Sequence, residues 1–223
     1  MTSTPNPNTK QEHFWTSDFG RHYTDRNSRH LEDWNQFYLD NWGQTKLAMN
    51  ERFLGHLDRD ARILEVGCNT GMQLMGLQEN GFQHLYGVEI QPYAVEKAKE
   101  YTRHVNIVQG SGLDLPFKDG FFDVVGTNGV LIHISPDDLP KVMAEMMRTS
   151  SRYIWGFEYY TPDITTIKYR DNVGYAWKGD YARLFQEQFP GQLRLVQQEF
   201  FPYVNPAEKG NTDCMYLLEK IGA

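Results

Sequence analysis

Residues 63–71 read Ile63-Leu64-Glu65-Val66-Gly67-Cys68-Asn69-Thr70-Gly71. Apolar Ile63, Leu64 and Val66 predict a buried strand, and Gly67 to Gly71 a tight loop bounded by glycines. A helical pattern follows from Met72 to Asn80, with Gly81 as its stop signal. A second strand, Leu85-Tyr86-Gly87-Val88, delivers the acid Glu89 at its carboxyl end. Strand, glycine turn, helix, then a strand ending in an acid make a nucleoside-binding βαβ unit. Its glycines let the backbone approach the ligand, and its carboxylate accepts the ribose hydroxyls. The dehydrogenase form of this loop is G-x-G-x-x-G, whereas Gly67 to Gly71 lacks the middle glycine, which argues against a nicotinamide-dependent oxidoreductase.

Outward from this unit the chain alternates strand and helix, which predicts an α/β fold with a mainly parallel sheet. Strands are expected at 62–66, 84–89, 105–109, 121–127 and 152–158. Pro92 opens a helix to about Thr102. Ser135-Pro136-Asp137-Asp138 reads as a capped helix start, with the helix running to about Thr149. Beyond Tyr159 the rhythm breaks, with a short helix near 180–188. The chain then ends in two strand-like runs, 193–202 and 214–220, which read as an antiparallel hairpin. Residues 1–10 are polar and rich in Pro and Asn, and are expected to be a disordered tail. Residues 11–57 are helical and heavily aromatic, a cover for the sheet or the ligand.

Composition narrows the function. The 223 residues carry a net charge of −7 with Lys and Arg scattered, so no basic stripe is present to track phosphates and nucleic acid is not an expected partner. No apolar run is long enough to span a membrane. Two cysteines, Cys68 and Cys214, suggest reduced thiols and a cytoplasmic protein. The seven histidines are not clustered, and no metal is expected.

The loop with its preceding acid resembles the E-x-G-x-x-x-G motif of class I S-adenosylmethionine-dependent methyltransferases. That resemblance implies a Rossmann-like seven-stranded sheet with helices on both faces, a C-terminal antiparallel hairpin, and S-adenosylmethionine as cofactor. It assigns Gly67, Cys68, Asn69 and Gly71 to the donor's amino-acid and ribose portions, with Glu65 ordering that loop or capping local backbone amides, Glu89 to the ribose diol, and Ile90 to one face of the adenine. Gly110-Ser111-Gly112-Leu113-Asp114-Leu115-Pro116-Phe117 aligns with the family pattern G-D-x-x-x-L-P-F. Ser111 therefore stands where an aspartate usually meets the adenine amino group, with the Gly112 amide beside it. Asn128 and Gly129 form the wall under the methionine portion, and Tyr23 and Asn27 reach it from the aromatic cover.

Residues 129–136 (Gly129-Val130-Leu131-Ile132-His133-Ile134-Ser135-Pro136), Phe157-Glu158-Tyr159-Tyr160 and the Phe14-Trp15 region are similar to the pseudaminic acid biosynthesis-associated methylases. The likeness points to a small polar acceptor, a sugar or nucleotide-linked sugar, with a homodimer as one possible assembly. A methyltransferase for a small carboxylic acid or amine, and a donor-binding protein without catalysis, are the alternatives. His133 is a candidate general base or a packed histidine at a helix start. Glu158 is a candidate base or acceptor ligand. Tyr159, Tyr160 and Tyr169 are candidates for the acceptor pocket, with Arg170 for an acidic group. All four belong to residues 159–190, expected as an acceptor-side insertion within a domain spanning 11–223.

Overall fold

The computed structural model describes residues 9–27 and 30–222. Four helices come first: α1 (Lys10–Thr16), α2 (Asp18–Asn27), α3 (Leu31–Trp42) and α4 (Lys46–Leu54). The tail expected over 1–10 falls mostly outside the described residues, but Thr9 and Lys10 do not belong to it. Thr9 caps α1 in a reciprocal capping box with Glu12, which satisfies two otherwise orphaned amides.

The alternating region follows as β1 (Arg62–Val66), α5 (Met72–Glu79), β2 (His84–Glu89), α6 (Pro92–Tyr101), β3 (Val105–Gln109), β4 (Phe122–Asn128), α7 (Leu139–Thr149) and β5 (Ser150–Tyr159). A two-stranded ribbon, β6 (Thr165–Thr166) with β7 (Trp177–Lys178), precedes α8 (Tyr181–Gln188). The hairpin β8 (Leu193–Pro202) and β9 (Thr212–Lys220) closes the sheet. The order is β3-β2-β1-β4-β5-β9-β8, seven strands in all. The first five are parallel, and β9 runs antiparallel against β5.

Strands β4, β5 and β9 shift by one or two residues at their ends, and one helix start moves further. The helix read from Ser135 begins at Leu139, with Asp138 as its cap and Pro140 in its first turn. Ser135 instead closes a turn, its carbonyl accepting from the amides of Asp138 and Leu139 at 2.9 and 2.8 Å. Two cap-and-proline signals compete here, Ser135-Pro136 and Asp138-Leu139-Pro140, with their prolines four residues apart, and the second one holds the helix.

The period of two along each strand splits the core into two layers. Ile63, Val124, Tyr153, Trp155, Phe157, Met215 and Leu217 pack under Trp34, Tyr38 and Trp42 of α3, Met49, Phe53 and Leu54 of α4, and Leu74 and Leu77 of α5. Leu64, Val125, Ile154, Tyr216 and Leu218 pack against Val142, Met143 and Met146 of α7 and Phe185 of α8. The sheet is thus buried on both faces, which leaves the carboxyl edge of its parallel strands as the place where a ligand enters.

Candidate active site

At that edge lies a cavity of about 1080 Å³. Its floor is the glycine loop. Gly67 sits at φ +74°, and a Cβ added there would come within 2.7 Å of Val130 Cγ2, so the loop crosses the neighbouring segment at backbone distance. The amides of Gly67 and Cys68 both donate to Val88 O, at 2.8 and 3.0 Å, which ties the loop to β2. Glu89, at the end of β2, closes the arrangement. Its carboxylate accepts from Asn69 N and from Gln91 N, each at 2.8 Å, while burial raises its pKa.

Among the described residues, four acceptor atoms of cavity-lining side chains are buried without a hydrogen-bond partner: Glu65 Oε2, Asn69 Oδ1, Gln73 Oε1 and Asp213 Oδ1. Buried polar atoms are normally paired, so this wall presents unmet acceptors, the complement of a ligand rich in donors and positive charge. S-adenosylmethionine, with an ammonium, a sulfonium, a ribose diol and an adenine amino group, fits that donor set.

Ser111 stands on the cavity wall, but its hydroxyl is engaged by the protein: it accepts from Leu113 N at 3.0 Å and hydrogen-bonds Glu12 Oε1 of α1. A carboxylate therefore does reach the position beside Gly112, delivered by the N-terminal helix instead of by the loop after β3. The N-terminal segment is pinned to the carboxyl edge of the sheet a second time, because Gln91 Nε2, just after β2, donates to the carbonyls of Trp15 and Ser17 at 3.0 and 3.1 Å. Tyr23, Asn27 and Ile90 also line the cavity, Asn27 donating to Tyr23 O at 2.8 Å.

His133 occupies a single 3₁₀ turn, Leu131–His133, after β4. It is 6% exposed, and its ring lies between Trp15 and Tyr169 at centroid distances of 4.6 and 4.7 Å. Nδ1 is 2.9 Å from Tyr175 O; a carbonyl only accepts, so Nδ1 carries the proton and Nε2 is left as an acceptor. Burial lowers the pKa to about 4, so the ring is neutral at physiological pH.

Glu158 is not in the cavity. Strand alternation turns it to the opposite face from Phe157 and Tyr159, where Oε1 accepts from Val130 N and Leu131 N at 3.1 and 3.2 Å and Oε2 from Ile132 N at 3.3 Å. It holds the backbone turn that carries His133. Tyr160 also points elsewhere, its ring packing on Phe200 at 4.7 Å. Tyr159, Tyr169 and Arg170 do line the cavity. Arg170 and Asp171, at φ 44° and 67°, form a tight turn closed by paired hydrogen bonds between Tyr169 and Asn172, which sets the exposed Arg170 at the rim.

Two further residues emerge from the packing. Lys46 is fully buried at the start of α4, donating to Asn128 Oδ1 at 3.0 Å, with its ammonium 3.7 Å from the Phe157 ring centre. Asp213, 2% exposed on β9, lines the cavity. Burial dominates the protonation of this cluster. It pulls Lys46 down to about 7 and pushes Glu65 up to about 8 and Glu158 and Asp213 each up to about 7.

The sign of the pH dependence follows. Glu65, Glu158 and Asp213 hold protons in the folded protein at pH values where the unfolded chain has lost them, so their contribution is complete below about pH 4 and is lost as pH rises toward 8. His133 acts oppositely between about 4 and 6.5, and Lys46 only above about 7. Three groups outweigh one across the acid range. The ligand-free protein is therefore expected to melt higher at pH 5 than at pH 7.5, with Glu65→Gln flattening the profile in thermal melts; a rising profile would contradict these protonation states.

Comparison with known proteins agrees with this geometry. A family model described as a methyltransferase domain matches residues 64–152. A demethylmenaquinone methyltransferase of Listeria monocytogenes is 28% identical over 181 residues, covering 68% of this chain and 74% of that protein. An uncharacterized methyltransferase of Synechocystis sp. is 30% identical over 87 residues, covering 39% of this chain and only 41% of that protein. Among solved structures, the 1,6-didemethyltoxoflavin-N1-methyltransferase of Burkholderia thailandensis, with bound 1,6-didemethyltoxoflavin and S-adenosylhomocysteine, superposes with a TM-score of 0.68 at 18% identity, covering 96% of this chain and 92% of that one. Residues 64–152 thus resemble a methyltransferase domain, and the chain adopts the fold of the class I S-adenosylmethionine-dependent enzymes.

Proposed function

We propose that this protein transfers a methyl group from S-adenosylmethionine to a small polar molecule. The observation that carries this reading is the junction of Glu89 with the Gly67–Gly71 loop on a wall of unmet acceptors. When bound, the cofactor supplies an electrophilic methyl on a positively charged sulfur. Glu89 would hold the ribose diol with the lone pairs its two amide bonds leave over. Glu65, Asn69 and Gln73 would take the ammonium end. The Glu12–Ser111 pair and the Gly112 amide would meet the adenine edge, and Asn128 and Gly129 would form the wall beneath the methionine portion.

The rest of the site has to orient the acceptor and exclude water, and orientation alone can contribute several kcal/mol. Trp15 and Tyr23 close the cavity from the N-terminal side. His133 presents a neutral Nε2 that accepts a hydrogen bond from the acceptor molecule, with Tyr159 and Tyr169 beside it. Arg170 at the rim suits an anionic substituent away from the reacting atom. The segment 159–190 thereby serves as the acceptor side of a domain running from 11 to the end of the chain. The likeness to the sugar-associated methylases makes a sugar or nucleotide-linked sugar the first acceptor class to try.

Calorimetry with S-adenosylhomocysteine and NADH tests the donor assignment. S-adenosylhomocysteine is expected to bind at one site per chain and NADH not to displace it. Displacement by NADH would overturn the reading.

A further inference from the structure

We propose that Asp213 binds the reacting group of the methyl acceptor and takes its proton, and that this group is a neutral hydroxyl. The inference rests on the methyl-transfer reading above and names the acceptor chemistry of the same cavity.

The topology brings this acid to the ligand edge. Because β9 runs antiparallel to β5, its first residues lie beside the last residues of the parallel strands, and Asp213 pairs with Tyr159. Asp213 falls on the same sheet face as Met215 and Phe157, and Phe157 pairs in turn with Asn128 of β4. Two strand spacings across the sheet, about 10 Å, and two residues along it separate Asp213 from Asn128, and both line the same cavity.

The local geometry shows what the carboxylate lacks. Oδ2 accepts from Tyr203 OH at 3.1 Å, whereas Oδ1 is buried without a partner in a residue that lines the cavity. A buried, unmet carboxylate oxygen in a cavity-lining residue selects a hydrogen-bond donor. Carboxylate acceptors would meet Asp213 as like charge. A protonated amine has no lone pair with which to attack and would sit beside a sulfonium of the same sign. A neutral amine can attack without a base. A neutral hydroxyl needs both the acceptor atom and the proton sink that Asp213 offers.

The step balances as follows. The hydroxyl oxygen's lone pair forms the new O–C bond as the S–C bond breaks, the bonding pair returns to sulfur, and the hydroxyl proton moves to Asp213 Oδ1. Burial places the Asp213 pKa near 7, so that the proton can be released again at neutral pH. The groups acting on it are Tyr203 by hydrogen bond, Lys46 from α4, Glu158 from β5 and Lys178 from β7. Sequence reading passed over Asp213 because a single acid at the start of an apolar strand looks like a solvated strand end; the antiparallel direction of β9 is what brings it to the site.

The test compares wild type with Asp213→Asn, which preserves shape and can still accept from Tyr203. Three readouts are taken: S-adenosylhomocysteine affinity, melting temperature, and transfer of labelled methyl from S-adenosylmethionine to the small-molecule fraction of a cell extract. The expected result is affinity within about 2-fold, melting unchanged or higher, and transfer reduced by ~100-fold or more, in the range of a lost general base. The wild-type product should resist base, as a methyl ether does. The proposal is overturned by wild-type transfer in Asp213→Asn, by a drop in melting with parallel loss of S-adenosylhomocysteine affinity, by a base-labile ester or an N-methyl product, or by no transfer to small molecules. If wild type does not bind S-adenosylhomocysteine at all, the broader methyl-transfer reading falls first.

Discussion

Replacing Glu89 with alanine is expected to weaken S-adenosylhomocysteine binding by about 100-fold or more, the largest loss of any single substitution in the donor site. Two effects add. The carboxylate is the proposed ligand of the ribose diol, and each hydrogen bond to a charged group contributes roughly 1.5–3 kcal/mol, so two of them span that factor at about 1.4 kcal/mol per tenfold. The same carboxylate also holds the amides of Asn69 and Gln91, so its removal leaves two donors unpaired and loosens the loop that faces the ligand. Glu89→Gln separates the contributions: its single oxygen can replace only one of the two amide acceptors, and it carries no charge. Calorimetry on both variants, with circular dichroism to verify the fold, checks the point. An affinity within a few-fold of wild type in Glu89→Ala would remove the ribose assignment.

Gly67→Ala is expected to cost roughly 2–5 kcal/mol of stability, from the left-handed backbone at about 1–2 kcal/mol and overpacking at about 1–3 kcal/mol. The overpacking is specific, since the new methyl would lie 2.7 Å from Val130 Cγ2 and 2.9 Å from Val130 Cγ1. Val130 cannot retreat freely, because its amide is held by Glu158. Gly191 provides the control. It has φ +73° with nothing within 4 Å of an added Cβ, so Gly191→Ala should lose only the backbone contribution. Thermal melts of the two variants are expected to differ by several degrees, with S-adenosylhomocysteine affinity reduced in Gly67→Ala alone. Equal melting temperatures would show that the loop does not press on the 130–133 segment.

The parallel half of the sheet was legible in the sequence because each strand there is a short apolar run closed by glycine or proline. The bounds of β1, β2, β3 and β8 coincide with those expected from 62–66, 84–89, 105–109 and 193–202. The donor loop was legible for the same reason: Gly67, Asn69 and Gly71 all adopt positive φ, which residue type announces. What the sequence hid is three-dimensional. Glu158 looked catalytic as the acid at a strand end, yet counting by twos from Phe157 turns it to the other layer, under the Leu131–His133 turn. Lys46 reads as an ordinary basic residue at a helix start, and only the fold shows it buried among Tyr38, Trp155 and Phe157. Glu12 reaches Ser111 across 99 positions, a contact that no local pattern encodes.

Lys46 and Glu12 share a cause, distinct from the strand alternation that turns Glu158. Each depends on how α4 or α1 docks onto the edge of the parallel sheet. Docking of that kind is set by volume and hydrogen-bond closure among distant elements rather than by local periodicity. The substitution of Ser111 for the expected aspartate illustrates it: read alone, it removes a carboxylate from the adenine end, whereas in the fold α1 brings another to the same place.

The most direct test of the account follows the methyl group itself. Protein is incubated with methyl-labelled S-adenosylmethionine and a cell extract separated into small-molecule and macromolecular fractions. The account predicts label in the small-molecule fraction, dependent on active protein and abolished by Glu89→Ala. Label confined to protein or nucleic acid, or no transfer by a protein that binds S-adenosylhomocysteine, would contradict it.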